Sequence, residues 1–187
     1  MPDVFDEPAV LRTDRLLLRQ ITESDGPALF DIFSDDEVTA HYALDTFTNI
    51  EQGHALAERT ARAFRERQAM RWGLVPHGAD RIIGTCGYTR WTVESRFAIL
   101  GYDLARPYWR QGLMTEAVTE VLRFGFEDME LHRVEALAMA GNVASMTLLS
   151  RLGFSHEGEL RSRALHRGEF RDVWYFGLLQ SEWTAGN

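Results

Sequence analysis

A chain of 187 residues, 45% of them apolar and 26% charged, is long enough to bury a substantial core as one globular domain. Its 20 Lys and Arg against 28 Asp and Glu leave a formal charge of −8. That balance excludes a nucleic-acid binder resting on phosphate neutralisation and is compatible with a cationic substrate such as an amine.

Cys86 is the single cysteine, so an intramolecular disulfide is ruled out, and no apolar run approaches about 18 residues or follows a basic leader. A soluble, cytoplasmic protein is the expectation. Residues 1–8 and 184–187 read as loose ends of one domain spanning 1–187, with an ordered core over about 8–183. Residues 15–19 predict a first strand, and Ser24 or Asp25 is placed to cap a helix carrying Leu29, Phe30, Ile32 and Phe33. An irregular, aromatic-rich stretch covers 41–48. A second helix then runs from Asn49 or Ile50 to about Gln68, with Ala55, Leu56, Ala63 and Phe64 on its apolar side.

Residues 70–75 and 81–91 predict two strands around a Pro/Gly-containing turn, and 97–104 a third. Leu113, Ala117, Val118, Val121, Leu122 and Phe126 recur at three- and four-residue spacing, which marks an amphipathic helix after Gly112. Residues 133–139 read as a strand, and 144–152 as a short helix stopped at Gly153. The strands 154–163 and 170–179 close the chain. Interleaved strands and helices define an α/β domain with a mixed sheet.

The most informative stretch is Pro107-Tyr108-Trp109-Arg110-Gln111-Gly112-Leu113-Met114-Thr115-Glu116-Ala117. A strand ends before it and a helix begins inside it, so backbone N–H groups and the positive end of a helix dipole aim at one spot. Such a spot binds phosphate without a lysine. A second helix start, Asn142-Val143-Ala144-Ser145, also follows a strand and leads into Gly153-Phe154 and Gly158. Two helix starts of this kind can face the same sheet edge, one holding a pyrophosphate and the other offering Asn and Ser side chains to the same ligand.

These motifs resemble the GNAT family of acetyl-CoA-dependent N-acetyltransferases, and within it the branch of ribosomal-protein alanine and serine N-terminal acetyltransferases. Thr13-Asp14-Arg15-Leu16-Leu17-Leu18-Arg19 resembles that branch's opening strand, with Asp25 at the next helix start. Ile83-Gly84-Thr85-Cys86-Gly87 resembles its central hairpin, and Leu100-Gly101-Tyr102-Asp103-Leu104 its cofactor-side strand. The resemblance implies a mixed, mostly antiparallel sheet with helices on both faces and a splayed cofactor-binding edge.

It further implies that Gln111, Gly112, Leu113, Met114 and Thr115 bind the CoA pyrophosphate. Tyr102, Asp103 and Leu104 would pair with the pantetheine arm through backbone, and Asn142 would hydrogen-bond it. Ser145 would sit near the sulfur and assist the departing thiolate, while the Tyr102 backbone N–H would serve as the oxyanion contact. The implied partners are acetyl-CoA and a primary amine, best a protein N-terminal α-amine, with no metal, nucleic acid or membrane. Homodimers are frequent in the branch. A small amine, amino acid or antibiotic is the alternative acceptor, and a catalytically silent acyl-CoA sensor the alternative of another class.

The chain departs from the family pattern in three places. Met114 is bulkier than the usual Gly or Ala, and Leu149 stands where many GNAT enzymes carry a tyrosine acid. Ala164, nineteen residues after Ser145, stands where the ribosomal-protein enzymes have a Glu base. Glu157, Tyr88, Glu94 and His41 are the substitutes available through a water. Elsewhere Cys86 reads as strand packing rather than a nucleophile, and the six histidines show no close metal-ligand spacing. Arg161, Arg163, Arg167 and Arg171 form a basic cluster that reads as a solvated face.

Overall fold

The computed structural model describes residues 9–42 and 44–184, so the expected loose ends over 1–8 and 184–187 lie, but for residue 184, outside the described residues. One eight-stranded sheet organises the chain. Its strands are β1 (Leu11–Arg12), β2 (Leu16–Gln20), β3 (Met70–Pro76), β4 (Gly84–Thr92), β5 (Phe97–Leu104), β6 (Arg133–Met139), β7 (Ser155–His166) and β8 (Glu169–Leu179). They lie in the order β1-β2-β3-β4-β5-β6-β8-β7. Every pairing is antiparallel except β5 with β6.

Alternation along the strands sends side chains to two faces. Leu16, Leu18, Leu74, Leu100 and Leu104 join the larger core with α4 (Leu113–Arg123) and α5 (Val143–Arg151). Leu17 and Val75 face a smaller core with α1 (Gly26–Phe33) and α3 (Ile50–Arg65). Helices therefore cover both faces, as the spacing of apolar residues requires.

Most element boundaries fall within a few residues of those read from the sequence, and the exceptions have local causes. Asp25 stands at the N-cap position of α1 as expected, but its side chain does not cap that helix, and Thr22 starts a short 3-10 turn ahead of it. The Asp25 carboxylate instead turns back to accept from the Thr22 N–H at 2.8 Å and pairs with Arg19 at 2.7 Å. Helix α2 (Asp36–Thr39) was not anticipated; Asp35 caps it by accepting from the Glu37 N–H at 3.0 Å. Strand β7 runs on to His166 because a bulge absorbs residues between Leu160 and Ala164, where Ser162 takes φ 51° and its N–H donates to Asp172 Oδ1 at 2.7 Å.

One irregularity positions everything that follows. Strands β5 and β6 pair only from Phe97↔Arg133 to Leu100↔Ala136. Beyond that point β5 stays with β4 as far as Leu104↔Gly84, and β6 stays with β8 as far as Met139↔Val173. The two strands thus part inside the sheet, leaving the end of β5 without a neighbour on its β6 side.

Candidate active site

The loop between β5 and α4 lies at the open end of this splay. Gly112 takes φ 77° and Arg110 φ 59°, left-handed conformations that turn the chain sharply into the helix. The first helical bond runs from the Glu116 N–H to the Gly112 carbonyl at 3.1 Å, so the N–H groups of Gly112, Leu113, Met114 and Thr115 precede the intrahelical ladder. Space over the glycine is open: a Cβ there would meet only Arg15 Nη2, at 3.5 Å. Met114 is half-buried against the main core, so its bulk turns inward and its N–H stays with the loop. The Trp109 indole donates to the Leu104 carbonyl at 2.6 Å, tying the loop to the last residue of β5.

A brace not foreseen from the sequence holds this loop from the first strand. Arg15 Nη1 donates to the Gln111 carbonyl at 2.8 Å and Arg15 Nε to Glu116 Oε2 at 2.7 Å. Glu116 Oε1 accepts from the Arg15 N–H at 2.8 Å and from the Thr13 hydroxyl. Burial opposes ionisation of Glu116, but these hydrogen bonds outweigh it and hold the carboxyl below its ordinary range. The Thr13…Arg15 part of the opening-strand motif is therefore loop-holding machinery. Its sequence signal was an arginine and a glutamate with no assigned task in the two motifs that proved adjacent.

Across the splay, Asn142 caps α5 by accepting from the Ser145 N–H at 3.0 Å. The Ser145 hydroxyl lies 2.6 Å from the Tyr102 hydroxyl. Tyr102 was expected to contribute backbone; its side chain reaches the serine as well, and burial raises its pKa while the Ser145 hydrogen bond lowers it less. Leu149 is fully buried and offers no proton.

Asp103 separates into two parts. Its backbone belongs to the unpaired end of β5, but its carboxylate points to the other face, where it pairs with Arg71 at 2.6 Å and accepts from the Thr85 hydroxyl at 2.7 Å. The Tyr42 hydroxyl accepts from Arg71 at 3.3 Å. Gly101 leaves room for the guanidinium, since a Cβ there would stand 2.9 Å from Arg71 Nη1. A charged residue in the apolar run of β3 was the signal for this cluster.

The proposed base substitutes fare unequally. Tyr88 is fully buried, donates to the Val121 carbonyl at 2.8 Å, and is pushed well above the ordinary phenol range by burial. Glu157 is held below the carboxylate range by its hydrogen bonds from Arg133. Glu94 sits in the β4–β5 turn, at the end of the strands away from the splay. His41 alone of the four approaches the second helix start, with Cε1 4.0 Å from where a Cβ of Gly141 would lie.

Ala164 is two residues from buried His166, whose Nε2 lies 3.0 Å from the Thr39 carbonyl, so Ala164 faces the same side as this contact with α2. Burial pushes the Cys86 thiol up to about 12, which removes it as a nucleophile. Within the basic cluster, Arg167 pairs with Asp36 at 3.1 Å and Arg171 with Glu169 at 2.6 Å. Among the described residues no group of His, Cys, Asp or Glu is arranged to hold a metal, and no helix is long and apolar enough to cross a membrane.

A left-handed loop opening one helix start and a hydroxyl pair at another thus flank the splayed strand pair. The acetyltransferase (GNAT) domain family matches residues 15–155, and the chain belongs to that family and is an acetyltransferase. It is similar to the uncharacterised N-acetyltransferase YoaA of Bacillus subtilis, 35% identical over 91% of this chain and 97% of that one. It is also similar to the [ribosomal protein uS5]-alanine N-acetyltransferase of Escherichia coli, 28% identical over 94% of this chain and 93% of that one. Among solved structures, the microcin C7 self-immunity acetyltransferase MccE in complex with acetyl-CoA and AMP shares the fold. Its TM-score is 0.82 at 19% identity, covering 95% of this chain and 99% of that one. GNAT enzymes use acetyl-CoA as acetyl donor, and N–H groups ahead of the helical ladder with an open approach at Gly112 are compatible with its pyrophosphate.

Proposed function

We propose that the protein transfers an acetyl group from acetyl-CoA to a primary amine, the acceptor being the N-terminal α-amine of a protein of the ribosomal type. The observation that carries this reading is the loop at Gly112 and the Asn142–Ser145 turn standing on opposite arms of one splay. The N–H groups of residues 111–115 bind the pyrophosphate, the unpaired end of β5 takes the pantetheine arm as an added strand, and Asn142 and Ser145 flank the thioester. The amine attacks the carbonyl carbon directly while the Tyr102 backbone N–H receives the developing oxyanion and Ser145 the departing thiolate.

An α-amine of pKa about 8 is partly neutral at pH 7, so an alanine where a glutamate base was expected does not prevent the reaction. Similarity to the uS5-alanine enzyme along nearly its whole length supports an α-amine acceptor. The test is free-thiol release from acetyl-CoA over a panel of N-terminal peptides, polyamines and aminoglycosides. Transfer confined to peptides with a free N-terminus is the expected result. Transfer to the other amines alone would move the acceptor, and no transfer at all would overturn the reading. Ser145→Ala should lower turnover by roughly 10- to 100-fold with little change in acetyl-CoA affinity.

A further inference from the structure

The contact between Tyr102 and Ser145 has chemical consequences beyond backbone pairing. Tyr102 leaves β5 on the face of Leu100 and Leu104, and its ring packs against the main core. Its hydroxyl spans the gap that opens beyond Leu100 and Ala136, meeting Ser145 Oγ at 2.6 Å in the first turn of α5. Asn142 pins that turn through the Ser145 N–H at 3.0 Å and so fixes the backbone from which the serine hydroxyl projects. Each hydroxyl can donate one hydrogen and accept others. The phenol is the more acidic of the two, which makes it the better donor, and burial keeps it protonated across the neutral range.

We propose that Tyr102 is a positioning residue for acetyl transfer: its phenol donates to Ser145 Oγ and thereby commits the serine O–H to the sulfur of the donor. The proposal rests on the acetyl-CoA reading of the site. In the step, the amine nitrogen bonds the carbonyl carbon, the C–S bond breaks, and its electron pair passes to sulfur. The sulfur accepts the serine hydrogen bond as it becomes a thiolate. The proton released by the amine reaches it through solvent, so both hydroxyls end as they began. Neither has to ionise, because a thiolate whose conjugate thiol has a pKa of about 8.5 is a weaker base than phenolate or alkoxide. Donation into the serine strengthens the bond it gives onward, as chained hydrogen bonds polarise one another.

Two measurements test this. In the first, CoA itself is bound and its thiol is titrated by the ultraviolet absorbance of the thiolate. Tyr102→Phe should raise the apparent thiol pKa by about 0.3 to 1 relative to the parent protein, and should add nothing once Ser145→Ala is present. Fluorotyrosine at position 102, a stronger donor, should move it the opposite way, and this arm does not depend on the phenylalanine variant folding. In the second, kcat for an accepted amine should fall about 3- to 10-fold in Tyr102→Phe, with KM for acetyl-CoA within about twofold. A bound thiol that titrates identically in all the Tyr102 variants overturns the proposal, as do Tyr102 and Ser145 effects that simply multiply. If the parent protein acetylates no amine, the acetyltransfer reading fails while the thiol titration still decides the hydrogen bond.

Discussion

Replacing Glu116 with alanine tests whether the phosphate loop is held from outside itself. The carboxylate accepts from the Arg15 N–H at 2.8 Å, from Arg15 Nε at 2.7 Å and from the Thr13 hydroxyl, and it pairs with Arg15 Nη2 at 2.7 Å. Hydrogen bonds to charged groups contribute about 1.5–3 kcal/mol each where solvent is excluded. Here the Arg15 side chain is 49% exposed and that of Glu116 19%, so screening removes much of that value. The whole brace then stabilises the fold by about 1–3 kcal/mol, and each kcal/mol shifts Tm by about 2–4 °C in a chain of this size. A Tm drop of about 2–12 °C by calorimetry is expected. Arg15 also donates to the Gln111 carbonyl, so releasing it loosens the cradle, and the Kd for CoA should rise about 3- to 10-fold by titration calorimetry. An unchanged CoA affinity in Glu116→Ala would refute the brace as a cofactor-binding device, whatever happened to Tm.

Asp103→Ala should behave as a folding mutation. It strands Arg71, whose side chain is 12% exposed, and should cost about 3–5 kcal/mol, visible as a lower denaturation midpoint; a loss of CoA affinity at unchanged stability would contradict the geometry. Gly112→Ala should cost about 1–2 kcal/mol from the left-handed backbone alone, since nothing crowds the new methyl, and should raise the CoA Kd about tenfold by standing where a phosphate approaches. Wild-type CoA binding in that variant would remove the loop from the site. Acid should destabilise the fold through Glu116 and Asp25. Both carboxyls sit below their ordinary values in the folded protein, so their contribution is present above about pH 4 and is lost as pH falls through the folded pKa values. Glu116→Gln should flatten that part of the Tm–pH curve, and an unaltered slope would exclude Glu116 from it.

The strand–turn–helix proposed to hold the donor was legible because it rests on backbone. A strand, a glycine able to take φ 77° and an amphipathic helix suffice to place four N–H groups, and all three leave local marks at 97–117. The Asn142 cap is equally local. Contacts without a local mark in the sequence join residues far apart in the chain. Glu116 meets Thr13 and Arg15 only because α4 packs beside β1 and β2, and Arg71 meets Asp103 only through strand register. Helix α2 is four residues long and carries too few apolar positions to show a period. The tilt of the Tyr102 side chain toward Ser145 needed the splay itself, and a splay is a failure of pairing that no residue spells out.

Under the proposed function, the acceptor side follows a different logic, one of compensated charge. Arg71 lies beneath Gly101 on the face away from α4 and α5, a position where a lone guanidinium would repel an arriving ammonium and depress its pKa. Asp103 pairs with that guanidinium at 2.6 Å and offsets its field, and the amines' pKa values in water serve as the starting point for the proposed reaction. Discrimination then begins before any contact is made. At pH 7 an α-amine of pKa about 8 is roughly one-tenth neutral, whereas a lysine near 10.4 is neutral in only about one molecule in 2,500. On the proposed function the ratio of about 250 favours chain termini over lysines, and Ala164 supplies no carboxylate that could erase it by deprotonating lysine.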